Sequence, residues 1–103
     1  VHYNGIVIQA SAGTPVTAVH TGRVVFADWM RGFGNLLIID HGDQIMTLHA
    51  HLQQFSVRPG QQVSRGDEIG RVGDSGGQTR AALYFEVRRG GEPINPQRWI
   101  ARR

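Results

Sequence analysis

The residues best suited to chemistry in this sequence are its histidines. Five are present, and two of them, His49 and His51, are separated by a single residue. On a strand, side chains at this spacing lie on one face about 6.6 Å apart, because side chains alternate and each residue advances about 3.3 Å. Imidazoles placed in this way can share a zinc ion, which needs at least one more protein ligand. His2, His41 and Asp43 are the candidates for that third ligand.

The same histidines also have an interpretation without a metal. His51 is then a partly buried polar residue, His49 is a surface residue, and His20 and His41 are solvated side chains at turns. Serine nucleophiles have little support, because no serine stands at a spacing from histidine and aspartate that suggests a catalytic triad. The serines considered are Ser11, Ser56, Ser64 and Ser75.

The stretch Thr79–Gly90 is predicted to be the strand around which the domain is organised. Its residues alternate with period two, which indicates one face in a core and one face turned outward. The inward face carries Leu83, Phe85 and Val87, and the outward face carries Ala82, Tyr84, Glu86 and Arg88. Of the outward residues, only Glu86 has a side chain that commonly binds metal ions. The face also contains no pair of a catalytic nucleophile and a general base. The strand is placed like an active-site strand but lacks the residues of an active site.

Length and composition predict one all-β domain, residues 1–103. The chain has 103 residues, which is enough for one modest core. Its 14 glycines interrupt short runs rich in Val and Ile, as in proteins built from short strands. No cysteine is present, so the sequence uses no disulfide and excludes no redox compartment. No apolar run approaches the roughly 18 residues of a membrane span. We expect a C-terminal domain of a longer protein, with its targeting signals upstream.

Apolar runs and turn residues predict the remaining elements. The run Gly5–Ala10 is nearly continuous, which suits a strand covered on both faces. The triplet His41-Gly42-Asp43 is predicted to be a hairpin turn. The tail Pro93–Trp99 is expected to hold one helical turn that begins at Pro96. Further strands are predicted at Val16–Val19, Gly22–Trp29, Asn35–Asp40 and Gln44–Leu52, with a strand pair over Gln62–Val72.

The charge pattern excludes two classes of function. All 11 basic residues are Arg, and they are spread along the chain without the basic stripe and interleaved aromatics that nucleic-acid binding requires. The pairs Arg88-Arg89 and Arg102-Arg103 are expected to be solvated ends able to meet an acidic partner. A Gly-x-x-Val pattern, repeated at Gly13 and Gly60, resembles the barrel-sandwich folds of lipoyl and biotinyl carriers. Those carriers need a modifiable Lys, which this chain lacks, so the carrier function is excluded although a shared architecture is not.

An ordered series of motifs resembles the LytM-type (lysostaphin-like) zinc peptidase domains of peptidase family M23. The motifs include G-T-P-V from Gly13, D-H-G from Asp40, A-H-L from Ala50, L-Y-F-E-V-R from Leu83 and P-I-N-P from Pro93. They cover nearly the whole chain. The resemblance implies an antiparallel β fold with a groove that, in active members, cleaves peptidoglycan cross-bridge peptides.

The resemblance places two of the family's zinc ligands in its first motif, which reads His, one residue, Gly, Ile, Asp. The glycine of that motif corresponds to Gly5, so Tyr3 takes the histidine position and Val7 takes the aspartate position. His2 lies one residue away, and on a strand a single step turns a side chain to the opposite face. Both ligands of this motif are therefore expected to be lost.

The resemblance also implies changes in the family's two other motifs. Ala82 and Tyr84 stand where the family has a His-x-His strand, whereas His51 keeps the family's single histidine and His49 takes a tyrosine position. Tyr3, Val7 and Tyr84 thus replace all three zinc ligands, and Ala82 replaces one of two catalytic histidines. Without a metal there is no Lewis acid and no activated water. We expect no metal, no cofactor and no peptidase activity, with His51 as a remnant.

Within this family the sequence most resembles degenerate, EnvC-type murein hydrolase activators, through D-W, G-x-G, S-G-G-Q and L-Y-F-E-x-R-R. That resemblance implies a non-catalytic, periplasmic activator of N-acetylmuramoyl-L-alanine amidases at cell division, which captures the amidase's inhibitory helix. The implied groove residues are Asn4, Val7, Phe33, Tyr84 and Arg88, with Asn4 standing where a basic residue is expected.

The groove residues suit such a helix. An apolar and aromatic surface with an Arg at its rim fits an amphipathic helix that bears an acidic residue. Ordinary packing of Tyr84 and Phe33 is the alternative interpretation of the same residues. Peptidoglycan is a further candidate ligand, and a division-site membrane complex is the candidate partner of an upstream region. The alternative functions are a residual zinc endopeptidase and a passive peptidoglycan-binding module.

Overall fold

A computed structural model describes residues 4–100, which form a nine-stranded sheet and one short 3-10 helix. The strands are β1 (Ile6–Gln9), β2 (Pro15–Thr17), β3 (Gly22–Met30), β4 (Gly34–Gly42), β5 (Ile45–Phe55), β6 (Gln62–Val63), β7 (Glu68–Val72), β8 (Ala82–Arg89) and β9 (Glu92–Ile94). The 3-10 helix is Pro96–Trp99. The all-β prediction with one C-terminal turn is confirmed. No helix within residues 4–100 is long and apolar enough to cross a membrane.

The sheet follows the order β1-β8-β5-β4-β3-β6, and every pairing described is antiparallel. β5 is the hub, since it pairs with β4, β8 and β7. β8 lies between β5 and β1, and β9 folds back on its end. The central position predicted for the stretch around β8 is therefore correct, and both of its edges are hydrogen-bonded.

Apolar side chains pack on both faces of the sheet. One face carries the main core, formed by Val16, Ala18, Val24, Leu37, Ile39, Leu52, Val63, Ile69 and Val72, beside a smaller cluster of Ile45, Phe85 and Val87. The other face carries Leu36, Leu48 and Ala50, with Phe26, Phe33, Ile38 and Tyr84 partly buried against them. Neighbouring residues of β8, such as Tyr84 and Phe85, therefore contribute to different clusters, as the alternation of a strand requires.

Two expectations for the first strand and the hairpin turn are wrong. β1 is covered on one face only, because pairing with β8 turns Val7 away from the core and leaves it 61% exposed. The hairpin turn after β4 is Asp43–Gln44 rather than the triplet that begins at His41. Asp43 and Gln44 both have positive φ (52° and 65°), as a two-residue hairpin requires, and Gly42 still belongs to β4.

The C-terminal segment agrees with its predicted helical turn. Pro96 opens the 3-10 helix, and the Asn95 side chain caps it by accepting a hydrogen bond from the backbone N–H of Gln97 at 3.0 Å. β9 has no counterpart in the sequence prediction. The sequence feature that could have predicted β9 is the pair Gly90-Gly91. The positive φ angles of these glycines (58° and 85°) let the chain reverse after β8.

His49 is a core residue, so the expectation that it lies at the surface is wrong. Its side chain is 1% exposed and packs against the Phe85 ring at a centroid distance of 5.5 Å. Its Nδ1–H donates to the carbonyl of Leu37 at 3.1 Å, and Nε2 has no partner within residues 4–100. Burial lowers the pKa of His49 from 6.5 to about 4. The imidazole is therefore neutral in the folded protein at neutral pH.

This buried imidazole predicts a loss of stability in mild acid. The unfolded chain takes up a proton at His49 near pH 6.5, whereas the folded chain resists it down to about pH 4. The free energy of unfolding should therefore fall across this window by on the order of 3 kcal/mol from this group, and level off below it. Denaturant unfolding of the wild type and of His49→Leu, compared pH by pH, measures the contribution.

Only the pH dependence is compared, because His49→Leu also changes packing. Burial also lowers the pKa of His41, so His49→Leu should make the slope between pH 6.5 and 4 shallower without removing it. Parallel curves for the wild type and His49→Leu would contradict the account of a neutral, buried His49.

Candidate functional site

Tyr84 is the centre of the candidate site. It lies on β8, in register with Val7 of β1 and Ala50 of β5, so the three side chains share one face of the sheet. Its ring rests on the backbone of Gly5, whose N–H donates to the phenolic oxygen at 2.9 Å. A Cβ at position 5 would lie 2.4 Å from Cζ of the ring, so only glycine allows this contact. Gly5 therefore fixes where the Tyr84 hydroxyl can be.

Glu86 is buried, contrary to the expectation that its face of β8 is turned outward. The residue is 3% exposed because it lies between Tyr84 and Arg88, opposite Leu48 of β5. Its Oε1 accepts a hydrogen bond of 2.7 Å from the Tyr84 hydroxyl, and its Oε2 forms an ion pair with Nε of Arg88. Glu86, the residue of this face that could bind a metal ion, therefore has both carboxylate oxygens bonded to neighbouring side chains.

The Tyr84 hydroxyl is held in its neutral form. Burial raises its pKa above 10, and the hydrogen bond to Glu86 raises it further, while the N–H of Gly5 opposes the shift. A phenol that stays protonated at neutral pH is a donor to Glu86 and a poor ligand for a metal cation. Tyr84 and Arg88 are therefore both oriented by one carboxylate.

Two further rings pack against Tyr84. Phe33, in the turn between β3 and β4, has its ring centroid 6.2 Å away, and the His51 imidazole is also at 6.2 Å in a T-shaped contact. The backbone N–H of His51 donates to the carbonyl of Phe33 at 2.8 Å. The His51 Nδ1–H donates to the carbonyl of Ser75 at 2.9 Å. His51 is half-buried, as expected, and it fixes two loops beside Tyr84.

The expectation that His49 and His51 share a face is wrong. His51 has a positive φ of 64°, which breaks the alternation of side chains along β5. The His49 ring consequently packs on Phe85 and the His51 ring on Tyr84, two residues that face opposite sides of β8. The two imidazoles are therefore on different sides of the sheet.

The candidates for a third ligand do not complete a site. Asp43 lies in the β4–β5 turn, and His2 lies outside the described residues. His41 is half-buried rather than solvated, since its ring nitrogens contact Thr21 O at 3.0 Å and Thr47 Oγ1 at 2.7 Å. Residues 4–100 contain no group of three or more His, Cys, Asp or Glu residues that could hold a metal ion.

The loop that follows β7 is fastened to the Phe33 turn by close backbone contact. A Cβ at Gly34 would lie 2.5 Å from the carbonyl carbon of Ser75, so the two segments touch. Ser75 Oγ donates to the carbonyl of Leu52 at 2.8 Å and accepts from the N–H of Asn35 at 3.0 Å. The sequence suggested Ser75 only as a poorly supported nucleophile, whereas in the structure it holds Phe33 in place through the loop backbone.

The structure brings together most of the predicted groove residues, and we call the surface formed by Val7, Phe33, Tyr84 and Arg88 the Tyr84 face. Val7 and Tyr84 are neighbours by register, Phe33 contacts the Tyr84 ring, and Arg88 is linked to Tyr84 through Glu86. Asn4 is exposed beside Gly5. Tyr3 lies outside the described residues. Met46, which is 38% exposed and paired with Arg88, extends the apolar surface and was missed from sequence.

Comparison with known proteins places this arrangement in a family. The family model described as "Peptidase family M23" matches residues 1–96. The chain is 47% identical over 100 residues to the murein hydrolase activator EnvC of Escherichia coli, covering 97% of this chain and 24% of that protein. It is 40% identical over 100 residues to the murein hydrolase activator NlpD of the same organism, covering 96% of this chain and 26% of that protein. The chain thus spans about a quarter of these relatives.

A solved structure shows the same fold. The catalytic domain of the antimicrobial peptidase lysostaphin from Staphylococcus simulans aligns with a TM-score of 0.86 at 26% sequence identity, covering 94% of this chain and 77% of that one. The antiparallel topology, the sequence motifs and the family match over residues 1–96 all indicate the same family. This chain belongs to peptidase family M23.

Proposed function

We propose that this chain is a non-catalytic activator of periplasmic N-acetylmuramoyl-L-alanine amidases in the Gram-negative envelope. In this proposal it acts at the division septum, where the Tyr84 face captures the helix that inhibits the amidase's own zinc site. The observation that carries the proposal is the state of Tyr84. At the position that the family resemblance gives to a zinc-ligating histidine, its hydroxyl is committed to Gly5 and Glu86.

The residues at the family's metal positions do not fit a zinc ion. Val7 offers only an aliphatic side chain, and Tyr84 offers a neutral phenol whose oxygen already accepts from Gly5 and donates to Glu86. Ala82, at the position of a catalytic histidine, has no proton to exchange. The remaining histidine, His51, donates its Nδ1–H to a backbone carbonyl and has no second catalytic histidine beside it, because Ala82 holds that position. We infer that these residues hold no zinc ion, so the Lewis acid and the activated water of a metallopeptidase are missing.

The chemistry of the Tyr84 face favours a helix as its occupant. Val7 and Met46 are exposed apolar side chains, and Tyr84 and Phe33 add two rings, so an apolar helix stripe has a surface to cover. Arg88 is 39% exposed and touches Glu86 through Nε. Its terminal guanidinium nitrogens suit a carboxylate on the partner. Tyr and Arg at the centre of an interface are frequent binding hot spots.

Relatives support an activating role. The two sequence relatives described above are named murein hydrolase activators, and both match nearly all of this chain. Because the match covers about a quarter of each relative, the amidase, peptidoglycan and any membrane complex bound through an upstream region are proposed partners of the whole protein. We propose no nucleic-acid partner.

Removing Tyr84 or Arg88 should abolish activation. Tyr84→Ala deletes the central ring, and Arg88→Ala deletes the cation at the rim, so each should reduce amidase stimulation in a dye-release wall assay by more than about tenfold. Arg89→Ala is the matched control, because Arg89 is exposed on the same strand and points to the other face. Full stimulation by both variants would show that the Tyr84 face is not the contact surface.

A double variant separates recognition from folding. Arg88→Ala leaves the buried carboxylate of Glu86 without its cation, which is itself destabilising by up to a few kcal/mol. Glu86→Gln together with Arg88→Ala removes that buried charge and should recover stability while leaving stimulation absent. Recovery of stimulation with stability would mean that Arg88 acts only through the fold.

The absence of a metal centre is tested on the domain alone. Metal analysis after purification in zinc-containing buffer should give far less than one zinc per chain, and the domain without amidase should release no dye from labelled wall. A control peptidase of family M23, handled in the same way, should retain zinc. Stoichiometric zinc together with wall digestion by the domain alone would support the residual endopeptidase instead.

A further inference from the structure

Trp99 stands at the centre of an arginine-lined concave region. Three cavities of about 430, 310 and 510 Å³ border its indole. Their walls include Arg65, Arg89 and Arg98, whereas Asp43 is the one carboxylate among the residues that line them. The 430 Å³ cavity has the most charged and titratable side chains in its wall. These are Arg65, Arg98, His20, His41 and Asp43. We call this cavity the Trp99 cavity.

The two arginines of the Trp99 cavity come from separate elements and have no carboxylate partner in the described chain. Within residues 4–100 the ion pairs are Arg71–Glu68 and Arg88–Glu86. Arg65 lies in the β6–β7 turn and Arg98 in the 3-10 helix, and both are exposed. Guanidinium groups that converge on a concave site create a positive potential that an anion can neutralise.

The imidazoles of His20 and His41 also line the Trp99 cavity. Their ring centroids are 6.0 Å apart, and the His41 centroid is 6.4 Å from that of Trp99. His41 is fixed, because Nδ1–H donates to Thr21 O and Nε2 contacts the Thr47 hydroxyl. The exposed His20 ring has no hydrogen bond within the described range 4–100, so its nitrogens are available to a bound group.

We propose that the Trp99 cavity binds a phosphate group. Arg65 and Arg98 supply charged donors from two sides, His20 supplies a further donor, and Trp99 and Ile100 close the wall with apolar surface. Asp43 opposes an anion and limits the affinity. The cavity lies beside Ile45 and Val19, on the core side of the sheet, whereas Tyr84 packs with Leu48 and Ala50 on the opposite side. The proposal is therefore independent of the amidase contact.

The emission of Trp99 reports directly on this cavity. The chain has two tryptophans, and Trp29→Phe leaves Trp99 as the single one. In that background, inorganic phosphate at constant ionic strength should change the emission in a saturable way. Arg65→Gln and Arg98→Gln should each weaken binding by about tenfold or more, since each removes a hydrogen bond to a charged group. Asp43→Asn should tighten it.

Controls and a second probe decide the outcome. Arg23→Gln, an exposed arginine on β3 outside the cavity, should bind as the parent does, and circular dichroism checks that every variant is folded. Phosphatidylcholine vesicles with and without phosphatidylglycerol distinguish a lipid phosphate from free phosphate. A response to either source that Arg65→Gln and Arg98→Gln weaken supports the proposal. The proposal is overturned if neither free phosphate nor the anionic vesicles give a saturable response, or if Arg65→Gln and Arg98→Gln bind as tightly as the parent.

Discussion

The buried carboxylate of Glu86 is the constraint on which the candidate site depends. A charge that is 3% exposed must be fully satisfied, and here the Tyr84 hydroxyl and the Arg88 guanidinium do so. That requirement fixes the rotamers of the half-buried Tyr84 and Arg88 on either side of Glu86. The Tyr84 ring in turn requires a glycine at position 5, because its atoms approach within 2.4 Å of where a Cβ would stand. The carboxylate thus orients the side chains that link Gly5, just before β1, to β8, in addition to the backbone pairing of the two strands.

Under the proposal, this surface stands where the family resemblance puts the active site of the peptidases. His51 forms hydrogen bonds to the backbone carbonyls of Phe33 and Ser75, and it therefore links two loops beside Tyr84. The glycine contact between Gly34 and Ser75 completes that support. In the proposed complex, a rigid support for Phe33 and Tyr84 lowers the entropy cost of binding the helix.

Sequence patterns predicted most of the strands and the residues that share a face of β8, because those features follow from local alternation. The period-two pattern of β8 and the motif L-Y-F-E-V-R placed Tyr84, Glu86 and Arg88 on one face, as the structure does. The errors occur where the backbone departs from a regular strand. The positive φ of His51 separated its ring from that of His49, and the positive φ angles at Asp43 and Gln44 moved the hairpin turn. Burial of Glu86 depends on its neighbours in space, which alternation does not reveal.

Helix capture by the Tyr84 face is tested most directly by a charge-reversal cycle. Arg88→Glu should abolish binding of a fluorescent peptide that carries the amidase's inhibitory helix, and an acidic-to-Arg change in that helix should restore it, with a coupling of about 1 kcal/mol or more. Glu86→Gln is included in both backgrounds so that the buried carboxylate does not repel the new glutamate. Restored binding by the matched pair is the result that the account predicts. Additive losses at every acidic position of the helix would contradict it.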